Sequence, residues 1–344
     1  MIVDDSMVAR AVLSRMIETD GGFEIAAAAG TAEDAIAALS HVRVDVILLD
    51  LEMPGAGGLK MLPDILKAAR GARVIVVSSF AEEGAEVTVA ALGLGAADTL
   101  PKPGTGRFNG RFSEVLIERL RALGRAEHRT PPPVKSLNPI TTPLRAMSAA
   151  PLGILAIGAS TGGIHSLGTL FQNLPEALGA PILVTQHLPP PFMDVFARQI
   201  ATAAKRGALI AADGMVALPD QILIAPGDAH LTLERRGGHP VVRLDRRRSA
   251  SGCLPSLDPM LTSAGEMYGA AAVGVILSGM GRDGTTGATR LVACGGAIIA
   301  QDEASSAVWG MPRSVAEAGL ASAILPPDKI ARRVASRAGE QNWK

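Results

Sequence analysis

Short apolar runs alternate along this chain with longer stretches whose apolar positions recur at helical spacing, and the alternation occurs in two separate series. In the first, residues 44–49, interrupted only by Asp45, and residues 74–77 and 99–100 are apolar or β-branched runs, the pattern of strands buried on both faces of a parallel sheet. Val8, Val12, Leu13, Met16 and Ile17 fall on one face of a predicted helix. These elements predict a βαβ domain over residues 1–123. From 124 to 151 the pattern fails: Arg129-Thr130-Pro131-Pro132-Pro133 and Asn138-Pro139-Ile140-Thr141-Thr142-Pro143 read as an extended linker. The second series places strands at 152–157, 181–185, 221–224, 272–277 and 297–300, within a second α/β domain over 152–344. No internal repeat of fixed period is present.

Composition narrows the classes of function. With 344 residues, the chain can bury a core in each of two domains. Its 33 basic and 33 acidic residues balance, so no overall field draws it to nucleic acid or anionic lipid. Cys253 and Cys294 are far apart and lack paired metal-ligand spacing, which argues for a reducing compartment and against a zinc site. No apolar run approaches the roughly 20 residues needed to span a bilayer, and the start Met1-Ile2-Val3-Asp4-Asp5 is not a signal peptide. The expectation is a cytoplasmic protein without membrane insertion.

In the first domain the strand ends carry polar residues: Asp4-Asp5, Asp50, Ser78 and Lys102. Ligands of open parallel sheets bind outside the carboxyl ends of the strands, so these groups should converge. The carboxylates supply the hard oxygens that Mg²⁺ prefers, and a lysine opposite them can neutralise a phosphoryl group. Over residues 1–120 this pattern resembles the receiver domain of bacterial response regulators, a flavodoxin-like doubly wound parallel sheet. The resemblance implies Mg²⁺ held by Asp4, Asp5, Asp50 and the backbone carbonyl of Glu52, with Asp50 as phosphoacceptor. It also implies phosphoryl contacts from Ser78 and Lys102, and a cis Lys102-Pro103 bond. The position that is aromatic in the family, three residues before the lysine, is Thr99 here. The first strand is short, and a true start upstream of Met1 is one expectation.

In the second domain Gly158-Ala159-Ser160-Thr161-Gly162 spells G-x-S-x-G after a predicted strand. The same spelling suits a nucleophile, a helix-capping serine or a phosphate cradle. His187 and Asp283 also follow predicted strands, so serine, imidazole and carboxylate can meet at one sheet edge. Their chain order, serine then histidine then acid, argues against an α/β-hydrolase. Thr161 and Met280 lie in glycine-rich loops near any oxyanion, although Met280 is equally a packing residue of a tight loop. His230 is the rival histidine, through substrate contact or loop structure. His165 is expected to pack or cap its helix, His239 lies in a turn between strands, and His41 and His128 read as surface residues. Arg246-Arg247-Arg248 reads as a solvated face.

Across 152–335 the segments Gly158-Ala159-Ser160-Thr161-Gly162-Gly163, Gln186-His187-Leu188-Pro189, Pro255-Ser256-Leu257-Asp258-Pro259 and Gly279-Met280-Gly281-Arg282-Asp283-Gly284 resemble the chemotaxis protein-glutamate methylesterase family. The resemblance implies a second doubly wound, mainly parallel α/β domain. Ser160 would be nucleophile, His187 base and Asp283 its orienting acid, with Thr161 and Met280 near the oxyanion. The implied reaction is hydrolysis of glutamate methyl esters on chemoreceptors, releasing methanol, together with deamidation of receptor glutamines. Phosphorylation of the receiver would control it, and the ester chemistry would need no cofactor. A chemotaxis histidine kinase and methyl-accepting receptors are the implied partners of a monomer at receptor arrays. The same esterase in a non-chemotaxis pathway, and a receiver with a binding-only output domain, are the alternatives.

Overall fold

In the first half of the chain β1 (Ile2–Val3), β2 (Ala28–Ala29), β3 (Val46–Asp50), β4 (Arg73–Ser78) and β5 (Asp98–Pro101) alternate with α1 (Met7–Thr19), α2 (Ala32–His41), α3 (Gly58–Ala68), α4 (Glu82–Leu94) and α5 (Gly110–Gly124). The structure, a computed structural model, describes residues 1–55, 57–78, 82–102, 110–124 and 143–338, in two units, Met1–Val134 and Lys135–Lys344. Much of the proposed 124–151 linker, together with Pro103 and His128, lies outside the described residues.

The five strands of the first unit pair in parallel in the order β2-β1-β3-β4-β5, the flavodoxin-like arrangement. Ser6 and Thr31 cap α1 and α2, accepting hydrogen bonds from the amides of Ala9 and Asp34. Leu13 and Ile17 of α1 are buried as its periodicity requires, but Val8 is exposed. The two-residue strands β1 and β2 offer little sheet surface for the helix's first turn to cover.

The second unit contains β6 (Ile154–Ala159), α6 (Gly163–Asn173), β7 (Ile182–Gln186), α7 (Met193–Ala204), β8 (Ala208–Ile210), β9 (Ile222–Ile224), β10 (His230–Arg236), β11 (His239–Asp245), α8 (Leu257–Tyr268), β12 (Ala272–Ile276), α9 (Thr285–Ala293), β13 (Ala297–Gln301), α10 (Met311–Glu317), β14 (Ala321–Leu325) and α11 (Pro327–Ala335). Seven strands form one parallel sheet in the order β14-β13-β12-β6-β7-β9-β8, and β10 and β11 pair as a separate antiparallel hairpin. The central strands β6, β7, β12 and β13 are buried along their whole length. From β6 the chain first builds outward through β7 and later returns on the other side at β12. That reversal makes the carboxyl edge beside β6 the sheet's topological switch point, where open α/β sheets bind ligands.

Candidate active site

Ser160 and His187 are the first residues after β6 and β7, and the parallel register sets Ala159 against Gln186. The imidazole Nδ1 lies 3.1 Å from the Ser160 hydroxyl oxygen, and Nε2 lies 2.9 Å from Oδ2 of Asp283. These partners assign the ring proton to Nε2, leaving the Nδ1 lone pair to accept from Ser160. All three residues therefore meet, although Asp283 reaches the site from the loop before α9.

Close backbone approach makes that loop geometry possible. Gly162 has φ +74°, a conformation that suits glycine, and it turns the chain from Ser160 into α6. At Gly279 a Cβ would lie 2.8 Å from the Ser160 Cβ, so a side chain there would displace the serine. The Ser160 amide donates to the Ser278 carbonyl at 2.9 Å, and Gln186 Nε2 donates to the Ser160 carbonyl at 3.0 Å. Thr161 is buried, its carbonyl accepting from Ser278 Oγ, whereas Met280 is half-buried and its N–H has no hydrogen-bond partner among the described residues.

Asp283 is 2 % exposed. Besides His187 it accepts from Ser256 Oγ at 2.6 Å and from the Leu257 amide at 2.8 Å, at the N-terminus of α8. Burial works against its charge, but the hydrogen bonds of His187, Ser256 and Leu257 outweigh it and hold the carboxyl at about 2. Burial likewise pulls the His187 imidazole down; hydrogen bonds to Asp283 and Cys253 override it, lifting the ring above its ordinary 6.5.

Sequence reasoning missed Ser256 as a partner of Asp283 and placed His230 only as a rival. His230 is 1 % exposed; its Nδ1 accepts from the Ser256 amide at 2.9 Å and its Nε2–H donates to the Arg247 carbonyl at 2.7 Å. It therefore acts on the loop and contacts neither Ser160 nor His187. The signal in the sequence was the Ser-Leu-Asp N-cap pattern at 256–258, legible as a helix start but silent about Asp283. Cys253 also enters the site: its sulfur, a His187 nitrogen and an Asp283 oxygen lie within 4.8 Å of one another. His165 is exposed on α6 and does not pack inward, because the face carrying Ile164 and Leu167 covers the sheet. His41, His239 and the side chains of Arg246, Arg247 and Arg248 are on the surface, Arg246 and Arg247 pairing with Asp228 and Asp245.

In the first unit Asp4 and Asp50 follow or end adjacent strands and are buried, with Asp5 exposed beside them. Oxygens of Asp4, Asp5 and Asp50 lie within 4.8 Å of one another. Lys102 Nζ sits 2.5 Å from Asp50 Oδ2 and 3.6 Å from Asp4 Oδ2, and the Glu52 amide donates to Asp50 Oδ1 at 3.0 Å. Burial raises the Asp50 carboxyl despite the hydrogen bonds and charge that Lys102 contributes. These hard oxygens, with one lysine for balance, suit a divalent cation such as Mg²⁺. Ser78 ends β4, and its side chain lies outside the described residues. Thr99, at the position aromatic in receivers, is half-buried in β5.

A model of the CheB methylesterase matches residues 155–334, and one of the response regulator receiver domain matches residues 1–107. The chain is 43 % identical over 341 residues to a Caulobacter vibrioides protein-glutamate methylesterase/protein-glutamine glutaminase, covering 98 % of each chain. A Rhodopseudomonas palustris protein of the same name is 37 % identical over 354 residues, 96 % of this chain and 91 % of that one. The crystal structure of the Thermotoga maritima CheB methylesterase catalytic domain superposes with TM-score 0.52 and 39 % identity, over 54 % of this chain and 97 % of that one. With the strand-end serine and histidine and the loop aspartate already in place, these likenesses put the chain in the CheB methylesterase family, behind a response regulator receiver domain.

Proposed function

We propose that this protein is a phosphorylation-controlled serine esterase that removes methyl groups from glutamate methyl esters of chemoreceptors, releases methanol, and deamidates receptor glutamines. The observation that carries the reading is the hydrogen-bonded run from Ser160 through His187 to Asp283 at the switch point of the second sheet. The names of the relatives supply the substrate class.

His187 Nδ1 takes the Ser160 proton as Oγ attacks the ester carbonyl, while Nε2–H stays on Asp283, whose charge stabilises the imidazolium. Amides of Met280 and of the Thr161 turn receive the oxyanion, worth roughly 3 kcal/mol for each donor. The imidazolium then gives its proton to the departing methoxide, and methanol leaves a glutamyl–Ser160 ester. Water attacks that ester with His187 again as base, freeing glutamate and the Ser160 hydroxyl.

Asp50 accepts a phosphoryl group from a chemotaxis histidine kinase, with Ser78 and Lys102 on the phosphoryl oxygens. Asp4, Asp5, Asp50 and the Glu52 carbonyl would hold Mg²⁺, which when bound offsets the charge of the phosphoryl group. Methanol release from methylated receptor should rise when a small-molecule phosphodonor is added, and Asp50→Asn should abolish that rise without removing the basal rate. A rise that persists in Asp50→Asn would move control away from Asp50, and no methanol from either protein would end the esterase reading.

Ser256 acts through Asp283 as a positioning residue. Ser256→Ala removes a hydrogen bond to a buried carboxylate, a loss of about 1.5–3 kcal/mol. Steady-state kinetics should show kcat lower by roughly 10- to 100-fold with KM little changed. The α8 cap adds a stability loss of about 1 kcal/mol in urea unfolding. Unchanged kcat with only the stability loss would confine Ser256 to capping.

A further inference from the structure

The loop ahead of α8 places a third metal-binding side chain beside two members of the triad. Ser249 Oγ donates to the Cys253 carbonyl at 2.9 Å, and the Gly252 amide donates to the Ser249 carbonyl at 3.1 Å, so a closed turn presents Cys253. Three residues later Ser256 binds Asp283, which ties that turn to the catalytic carboxylate. A thiol sulfur, an imidazole nitrogen and a carboxylate oxygen consequently lie within 4.8 Å of one another, in a half-buried position.

We propose that His187, Cys253 and Asp283 form a binding site for a borderline-soft divalent cation, Zn²⁺ foremost, whose occupation switches off ester hydrolysis. Sulfur, nitrogen and oxygen together are the donor set zinc favours, and three protein ligands leave a fourth tetrahedral position to water. With zinc bonds of about 2.0–2.3 Å, tetrahedral ligands stand roughly 3.3–3.7 Å apart. The atoms here need shifts of at most about an ångström to reach that spacing, the 2.9 Å contact of His187 Nε2 with Asp283 opening and the thiol closing in. Ser256 Oγ and the Leu257 amide already orient the carboxylate, as outer partners of metal ligands do.

Binding involves no redox change. The Cys253 thiol releases its proton to solvent as the metal–sulfur bond forms, and the imidazole binds in its neutral form, a protonated ring giving its extra proton to solvent as well. Inhibition follows whichever nitrogen the metal takes. At Nδ1 it occupies the lone pair that would accept the Ser160 proton; at Nε2 it drives the remaining proton onto Nδ1, which then faces Ser160 as a donor. The inhibitory half of the proposal rests on the esterase reading, whereas metal binding does not.

The test uses the full-length protein with Zn²⁺ or Co²⁺ alone, on wild type, Cys253→Ala and Cys294→Ala. Co²⁺ should bring up a near-ultraviolet thiolate-to-cobalt charge-transfer band in wild type and Cys294→Ala and none in Cys253→Ala. Oxygen-only binding at Asp4, Asp5 and Asp50 gives no such band. Zn²⁺ should suppress methanol release, and suppression, taken relative to each protein's own metal-free rate, should need at least tenfold more Zn²⁺ in Cys253→Ala. No thiolate band in wild type, or a band that survives in Cys253→Ala, overturns the site. A band without suppression overturns the inhibition, and a band in a protein that releases no methanol even without metal overturns the esterase reading instead. Circular dichroism of each variant establishes that it is folded, and Cys253→Ser repeats the test with a side chain closer in size.

Discussion

Ser160→Ala should lower methanol release from methylated receptor by about 10⁴- to 10⁶-fold while leaving phosphorylation of Asp50 unchanged. The hydroxyl oxygen is the atom that meets His187 Nδ1, at 3.1 Å. Its removal takes one atom from a half-buried position and leaves the Ser160 amide and carbonyl on Ser278 and Gln186, so the loop keeps its hydrogen bonds. The surviving rate is what backbone donors and substrate binding supply without a nucleophile. A methanol-release assay on the full-length variant checks this, and a rate within tenfold of wild type would remove Ser160 from its role.

Asp283→Asn should cost about 10⁴-fold in kcat, because an amide no longer secures the ring proton on Nε2 or balances the imidazolium. The pH profile separates that loss from misfolding. In the wild type the folded environment raises the His187 imidazole above 6.5, so the ring is protonated and inactive as a base at low pH, and kcat/KM rises as pH climbs through the raised value. Without the carboxylate, only Cys253 is left to oppose the burial that pulls the imidazole down, and the residual activity should turn on at lower pH than in wild type. A limb that stays in place would show that Asp283 does not set the ionisation of His187.

The central strands were readable because parallel strands covered on both faces must be continuously apolar; β6, β7, β12 and β13 are buried end to end. The edge strands were not. Residues of β8 and most of β14 are half-buried or exposed; β8 is only three residues long and β14 is interrupted by Ser322, so the sequence reading passed over them. The hairpin of β10 and β11 appeared only as a turn at His239.

The candidate site divides along a similar line. Ser160 and His187 directly follow core strands, and the functional polar residues of a parallel sheet stand at such ends, so their places could be read from the chain. Ser256, His230 and Cys253 belong to loops outside the sheet's register, separated from Asp283 by 27, 53 and 30 residues of sequence. Periodicity reports which face of an element is buried and says nothing of where a loop returns. The two cysteines illustrate the limit: linear spacing says nothing of the place of Cys253 beside His187 and Asp283, because the three share no short segment.

By itself, then, the sequence determined two α/β units and the residue types at their strand ends, because burial on both faces and the change from strand to loop both leave local patterns. Tertiary structure alone decided the strand order that makes β6 the switch point and the nitrogen of His187 that faces Ser160. It also decided that the α8 N-terminus holds Asp283 and that Cys253 stands beside the His187 imidazole. Each of these depends on contacts between segments distant in the chain, whose closure is set by the packing of the whole sheet rather than by neighbouring residues.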